Sequence, residues 1–312
     1  MTEPRHDGAA PALSVVIICF TSAAHLRRAL QALGQQTGRA PLEILVPHDD
    51  TLADVAALAR EFPAARFLRA GAKVTPAALR TQGTRASTAA IVGFLEDHCM
   101  PARDWTARVL TAHQQPHAGI GGSIEKGFKP GRSNDTALNW AIYLTDYSRY
   151  MLPMAEGPAH GLSDCNVSYK RAALDRIRDV WEAEFHENLV NGRLAQAGET
   201  LWFDPAMTVF EQRDLTLSGA LSDRFSFGRL FGSSRVREAP LVRRLIFSAS
   251  ALAMPPLLVA RVAGNLVSRR RHLGQLVRCL PHLVVVASTW MAGESLGYLT
   301  GTAGKSLSHD AP

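Results

Sequence analysis

The stretch Ala90-Ile-Val-Gly-Phe-Leu-Glu-Asp-His-Cys-Met-Pro101 decides the reading of the chain. Ile91, Val92, Phe94 and Leu95 form a short apolar run of β-branched, aliphatic and aromatic residues. Small residues precede it and Pro101 closes it, so it predicts a buried strand. The run ends in Glu96-Asp97-His98, three polar groups in a row. Charged residues at the carboxyl end of a buried strand sit where open α/β sheets hold their ligands. Carboxylates beside an imidazole suit a divalent cation, Mn or Mg, holding a diphosphate. A solvated loop after a strand is the competing reading of the same three residues.

Upstream, Leu13 to Phe20 (LSVVIICF) is a Val/Ile-rich run that predicts a parallel strand buried on both faces. Leu26, Ala29, Leu30 and Leu33 then recur at helical spacing within Ala23 to Leu33. Leu42 to Val46 predicts a second strand, Leu52 to Phe62 a helix, Ala65 to Leu68 a third strand and Pro76 to Arg85 a helix. Strand and helix therefore alternate four times in the first hundred residues, which predicts βαβ units and a parallel sheet. No Gly-x-Gly-x-x-Gly follows Phe20, and no full Gly-x-x-x-x-Gly-Lys-Ser/Thr phosphate loop occurs. The dinucleotide-binding and NTPase forms of such a sheet are disfavoured.

Downstream of Pro101, Trp105 to His113 reads as a helix and Ala118 to Ile124 as a glycine-rich strand. Leu138 to Tyr150 is rich in aromatics. Asp164 to Tyr169 reads as a strand entering a helix from Arg171 to Ile177. Asn188 to Ala197 reads as a helix stopped at Gly198. Leu201 to Phe203 and Met207 to Phe210 read as two short closing strands.

The 312 residues are 46% hydrophobic and 20% charged, a globular composition with a large core. The net charge of +6 favours anionic partners. The arginines at 243, 244, 261, 269, 270, 271 and 278 crowd the last quarter of the chain, and no aromatic-rich basic strand of the RNA-binding type is present. That placement points to a membrane surface and not to nucleic acid. Cys19, Cys99, Cys165 and Cys279 form no Cys-x-x-Cys pair, so a reducing compartment is the simpler reading. The N-terminal stretch lacks the apolar core of a signal peptide, and the catalytic part is expected in the cytoplasm.

Several segments, in order, resemble a family 2 glycosyltransferase of GT-A fold over roughly residues 13 to 235. LSVVIICFTSAAHLRRAL is similar to that family's first strand and helix. Asp49-Asp50 stands where the family contacts the base and ribose of a nucleotide sugar. Leu79-Arg80-Thr-Gln-Gly83 resembles the Ala-Arg-Asn-x-Gly element, whose arginine lies near the nucleotide. FLEDHCMP resembles the acidic metal motif, with Glu96 and His98 where aspartates are usual. Asp164-Cys-Asn166-Val-Ser-Tyr-Lys-Arg171 is similar to an acceptor-side segment. Phe185-His186-Glu187 followed by Arg193-Leu-Ala-Gln-Ala-Gly198 resembles the element that carries the catalytic base.

The resemblance implies an α/β, Rossmann-like nucleotide-diphospho-sugar transferase that works by direct displacement and inverts the anomeric centre. It implies Glu187 as base, Asp97 and His98 as ligands of Mn or Mg, and Asp49, Asp50, Arg80, Gly83, Glu96, Asp164 and Asn166 as substrate-binding residues. A nucleotide-diphosphate sugar is the implied donor, and a saccharide or lipid-linked hydroxyl the acceptor. The departures at Glu96, His98 and His186-Glu187 support an alternative, a catalytically weakened scaffold or partner subunit.

The expected organisation is a flexible tail at 1–12, the transferase domain at 13–215, a basic amphipathic linker helix at 216–240, a hydrophobic helical hairpin at 241–300 and a disordered tail at 301–312. In the linker, Arg224-Phe-Ser-Phe-Gly-Arg229 leaves Phe225, Phe227, Leu230 and Phe231 for lipid. In the hairpin, Pro255-Pro256 and Arg261 interrupt the first apolar stretch, and Pro281, His282 and Glu294 interrupt the second. The second then falls short of the roughly 20 residues of a span. Two true spans would also place Ser268-Arg-Arg-Arg-His272 outside, against the preference of arginine-rich loops for the cytoplasm. A hairpin lying in the cytoplasmic leaflet is the preferred reading, and a soluble helical hairpin the alternative.

Overall fold

The computed structural model describes residues 10–303 apart from Phe20, Arg39, Lys73, Arg132, Arg237 and Glu238. Most of the expected terminal tails, 1–9 and 304–312, lies outside the described residues. The chain divides into two compact units that interleave in sequence: 1–127 with 152–211, and 128–151 with 212–312. The linear reading placed the boundary at residue 215 and assigned 128–151 to the transferase domain. A helix in that segment instead carries its apolar face, Leu138 and Ile142, into a cluster with Ala220 and Val286.

In the first unit, β1 (Leu13–Ile18) leads to α1 (Ala23–Gly34), β2 (Leu42–His48), α2 (Val55–Glu61), β3 (Ala65–Arg69), α3 (Pro76–Ala86) and β4 (Ile91–Glu96). β5 (Cys99–Pro101), α4 (Trp105–Ala112) and β6 (Gly119–Lys126) follow. In the second unit, the intervening segment forms α5 (Ala137–Tyr147). The chain then returns to the first unit as β7 (Gly157–Pro158), β8 (Asn166–Lys170), α6 (Arg171–Arg176), α7 (Arg178–Trp181), α8 (Glu187–Gln196) and β9 (Leu201–Glu211).

The sheet order is β3-β2-β1-β4-β8-β6-β9-β5, with β7 on β9. The first four strands are parallel, and β8 runs antiparallel between β4 and β6. β1 is buried along its whole length, as a central strand without polar alternation requires. Ser22 and Thr75 cap α1 and α3 by accepting from backbone N–H groups, and Pro76 opens α3 at a position that needs no N–H. α2 is shorter than expected because Asp54 takes a left-handed conformation, φ 57°, which ends the preceding turn and delays the helix. The two closing strands are one: β9 runs through Pro205 and pairs with β6 across a register shift between Gly122 and Ile124. The residues after Glu96-Asp97-His98 are not a plain loop. Cys99 to Pro101 pair with Val209 to Glu211.

Among the described residues, the second unit holds α5, a 3-10 turn at Ser148–Tyr150 and four C-terminal helices, α9 (Leu217–Ser234), α10 (Leu241–Ala251), α11 (Met254–Arg269) and α12 (Leu273–Thr300). α9 and α12 touch backbone to backbone. A Cβ on Gly228 would lie 2.3 Å from the Trp290 carbonyl oxygen, and one on Gly232 2.2 Å from that of Glu294. Reciprocally, Cβ atoms on Gly293 and Gly297 would lie 2.0 and 2.2 Å from the carbonyls of Phe225 and Arg229. Two glycine pairs four residues apart thus interlock, the small-residue packing common between helices in lipid. Glu294, an interruption in the sequence pattern, is buried and accepts from Trp290 Nε1 at 3.0 Å and Tyr298 OH at 2.8 Å. Asp146 on α5 accepts from Arg224 at 2.7 Å and Arg213 at 2.9 Å. Burial raises that carboxyl, but the two guanidinium groups outweigh it and hold it at about 2.

α12 is a single 28-residue helix with Pro281 inside it, so the second apolar stretch is longer than the sequence reading allowed. By length and composition it can cross a membrane, and α10 with α11, bent by 45°, meets the same test as a pair.

The glycine contacts make a paired prediction. Gly297→Leu should destabilise the second unit by about 1–3 kcal/mol, since backbone must move. Gly264→Ala on α11, where a Cβ meets nothing within 4 Å, should stabilise by about 0.5–1 kcal/mol through helix propensity. Thermal unfolding of the full chain in detergent reads both.

Candidate active site

The ends of β1 and β4 lie side by side, because Ile18 pairs with Glu96 and the Asp97 amide donates to the Ile18 carbonyl at 3.0 Å. This register delivers Glu96, Asp97 and His98 to the loop that opens α1. Asp97 Oδ2 accepts from the Thr21 amide at 3.0 Å, Thr21 Oγ1 at 2.8 Å, the Ser22 amide at 3.3 Å and Cys19 Sγ at 3.3 Å. Burial alone would raise this carboxyl. His98 and the Thr21 donors outweigh burial and hold it below the usual carboxylate range. Asp49 stands at the end of β2, where its Oδ1 accepts from the Thr51 amide and hydroxyl. Its charge acts on Cys19, which burial and Asp97 push well above the ordinary thiol range.

On the other side of Glu96, α3 supplies Arg80. Its guanidinium is buried and bridges Glu96 Oε1 at 2.8 Å and Asp164 Oδ2 at 2.5 Å. Glu96 Oε2 accepts from Cys165 Sγ at 2.8 Å. Burial first, then Asp164, raises the Glu96 carboxyl to about 7 against the pull of His98 and Arg80. Glu187 opens α8 and shares this field. Burial and then Asp164 lift it to about 7, and Arg80 and its own backbone amide restrain the rise. Glu187 keeps part of its surface exposed, whereas Glu96 is enclosed. Six parts of the first unit therefore contribute to one polar group: Asp49, Cys19, Asp97 with His98 and Glu96, Arg80, Asp164 and Glu187.

Seven sequence-assigned residues stand differently from their expected roles. Arg80 and Glu96, expected at the substrate, are buried against each other, and Asp50, Gly83, Asn166, Asp97 and His98 also depart from theirs. Asp50 turns outward into a two-pronged pair with Arg69, at 2.7 and 2.9 Å. Gly83 faces the sheet: a Cβ there would lie 2.3 Å from Val16 Cγ1, so the glycine serves helix–strand packing. Asn166 has no exposed surface. Its Nδ2 donates to the Ser123 and Met207 carbonyls at 2.9 and 2.7 Å, and its Oδ1 accepts from Trp105 Nε1 at 2.8 Å. It ties β8, β6, β9 and α4 together and has no group left for an acceptor.

Asp97 and His98, the expected Mn or Mg ligands, are both wholly enclosed. A cation bridging a diphosphate needs oxygen ligands open to the substrate. Asp97 Oδ2 is held by four donors, and Glu96 is engaged by Arg80 and Cys165. Asp97 Oδ1, which has no hydrogen-bond partner among the described residues, is buried, so the side chains as arranged do not present an open oxygen site to a diphosphate.

Groups that could hold a metal are nevertheless present. The ligand atoms of His98, Cys99 and Cys165 lie within 4.8 Å of one another, as do those of Glu96, Asp164 and Cys165. The sequence reading treated these cysteines as unrelated. Cys99 directly follows the acidic motif and Cys165 directly follows Asp164, which was the available signal. A pocket of about 440 Å³ lies elsewhere in this unit, lined by Ala173, Ile177, Arg193, Leu194 and Glu199, and includes none of these residues.

A parallel βαβ half extended by antiparallel strands, with acidic groups gathered at its strand ends, defines a GT-A type glycosyltransferase. The profile described as Glycosyl transferase family 2 matches residues 14–178, more than half of the chain, and the chain belongs to that family. Among solved structures it is similar to the mannosyltransferase PcManGT from Pyrobaculum calidifontis, in complex with GDP-Man and Mn2+. The TM-score is 0.52 and the identity 15%, over 90% of this chain and 86% of that one, which shows a shared fold. No curated protein matches.

Asn166→Ala should behave as a structural lesion. Three buried groups lose their partner, so stability should fall by about 2–4 kcal/mol in chemical denaturation. Nucleotide affinity of the remaining folded protein should be unchanged by calorimetry.

Proposed function

We propose that the protein moves a sugar from a nucleotide-diphosphate sugar to a hydroxyl of a saccharide or lipid-linked acceptor, with inversion, at the cytoplasmic face of a membrane. One observation carries the chemistry. Glu187 is a partly exposed carboxylate of the cluster and is held near 7 beside Asp164 and Arg80. A general base works best when its pKa lies near the working pH. The acceptor hydroxyl would give its proton to a Glu187 oxygen as the hydroxyl oxygen attacks the anomeric carbon and the bond to the nucleotide diphosphate breaks. Asp49, at the end of β2, is the remaining candidate for the base or ribose. Arg80 is committed to Glu96 and Asp164, so its part is to set the field at Glu187.

The membrane reading is supported by the second unit. Phe227, Leu230 and Phe231 on α9, Leu241, Val242, Leu245 and Ile246 on α10, and Val277, Val284 and Val285 on α12 are exposed. Arg269 ends α11, and the turn before α12 carries Arg270 and Arg271. Arginines at an anionic surface contribute about 1 kcal/mol each. An acceptor attached to lipid would be presented at such a surface.

Glu187→Gln should lower turnover of a nucleotide-sugar panel by about 10²–10⁴-fold with nucleotide binding retained. Since the deprotonated carboxylate is the active form, kcat/KM should rise with pH through about 7. Asp164→Asn removes a charge that raises Glu187, so the rise should move to lower pH. A parent protein that binds nucleotide but turns over no donor would favour the scaffold alternative.

The full chain should float with vesicles containing anionic lipid, less with neutral ones, and need detergent for complete release. Full release by high salt alone would count against the membrane assignment.

A further inference from the structure

We propose that Glu96, His98, Cys99 and Cys165 form a buried binding site for a borderline-soft divalent cation of the zinc class, beneath the carboxylates of the transfer site. The donors are one imidazole and two thiols with one carboxylate beside them, ligand types that zinc binds and the number that its tetrahedral sites hold. All four residues are buried. The ligand atoms of His98, Cys99 and Cys165 lie within 4.8 Å of one another, and Glu96 Oε2 lies 2.8 Å from Cys165 Sγ and 3.5 Å from His98 Nε2.

The surroundings fit as well as the donors. His98 Nδ1 lies 3.6 Å from Asp97 Oδ1, beyond hydrogen-bonding distance but next to the carboxylate, and Nε2 lies 3.5 Å from Glu96 Oε2. Metal-bound histidines usually have their second ring nitrogen on a carboxylate, which fixes the ring and its tautomer. Asp97 is itself fixed by Thr21, Ser22 and Cys19. Glu96 Oε1 is held by Arg80, which leaves Oε2 for the ion. The dication would offset the charge of the two thiolates, and Arg80 lies between the Glu96 and Asp164 carboxylates.

On binding, two S–H bonds break, two metal–sulfur bonds form and two protons pass to solvent. The proton that Cys165 now donates to Glu96 Oε2 is one of them. The strands give rigidity, because Cys99 lies on β5, paired with Glu211 of β9, and Cys165 directly precedes β8. Sulfur ligands and burial distinguish this site from one for Mn or Mg shared with a diphosphate. Its place is structural: it would pin the loop after β4 to the start of β8 and so hold Asp164 and Arg80.

The test needs no turnover, so its failure is separable from failure of the transferase reading. The full chain, made without a histidine tag in zinc-supplemented medium, should retain about one zinc per chain after gel filtration with a mild chelator. Cobalt exchanged into it should show thiolate-to-cobalt charge-transfer absorption and the visible bands of tetrahedral cobalt. Cys99→Ser and Cys165→Ser should each abolish the charge-transfer signature or weaken it by about half, with zinc falling toward zero. If those variants do not fold, a mercurial titration of the parent should release zinc in step with two thiols. No bound zinc, a cobalt spectrum without sulfur bands, or zinc release independent of thiol modification would each overturn the proposal.

Discussion

The Arg80 guanidinium is the constraint on which the active-site region depends. It is a cation enclosed among carboxylates: Glu96 and Asp164 touch it, and Glu187 lies within its field. Three acidic groups gathered in a poorly hydrated space repel one another, and each would be driven to take up a proton. Arg80 offsets part of that repulsion and lets two of them rest near 7. Breaking a buried pair by removing one partner typically costs about 3–5 kcal/mol, because the other charge is left uncompensated. The position of α3 is therefore as important as its charge. Gly83 lets that helix approach Val16 of β1 closely, and the approach brings Arg80 within reach of the end of β4. A glycine assigned to nucleotide contact thus has its effect one step earlier, on the placement of the arginine three residues before it.

Asp97 illustrates the same division between chemistry and support. Its four donors come from the β1–α1 loop, including two backbone amides at the start of α1, where a carboxylate is favoured by unpaired N–H groups. The acidic motif therefore does two structural jobs at once. Asp97 fastens the loop ahead of α1, and Glu96 fastens α3 through Arg80. Asp49, Asp164 and Glu187 are the members of the cluster that keep exposed surface.

In the second unit, interlocked glycines let α9 and α12 touch at the backbone, and Glu294 is satisfied by Trp290 and Tyr298 on its own helix. Both hydrogen bonds to this carboxylate come from its own helix, one turn away on either side. The glycines were visible in the sequence, but spacing alone does not say which helix faces which. The grouping of 128–151 with the C-terminal helices was hidden for a related reason. Amphipathic α5 shows that it has an apolar face, not what covers it.

The sequence by itself determined the alternating strands and helices of the first hundred residues. Hydrophobic period and caps such as Ser22 and Thr75 act locally, and local signals are legible in order. It also determined the family and most of the acidic residues that meet, because Glu96, Asp97, Asp164 and Glu187 each stand at the end of an element. Only the tertiary structure decided what those residues do. Whether Asn166 faces an acceptor or three buried partners depends on Trp105, Ser123 and Met207, far away in the chain. Whether Asp50 binds substrate depends on Arg69 across the sheet edge, and whether Cys99 and Cys165 are neighbours depends on β8 lying beside β4. Side-chain roles are fixed by which partner arrives first within hydrogen-bonding distance, and strand order, not residue spacing, sets that.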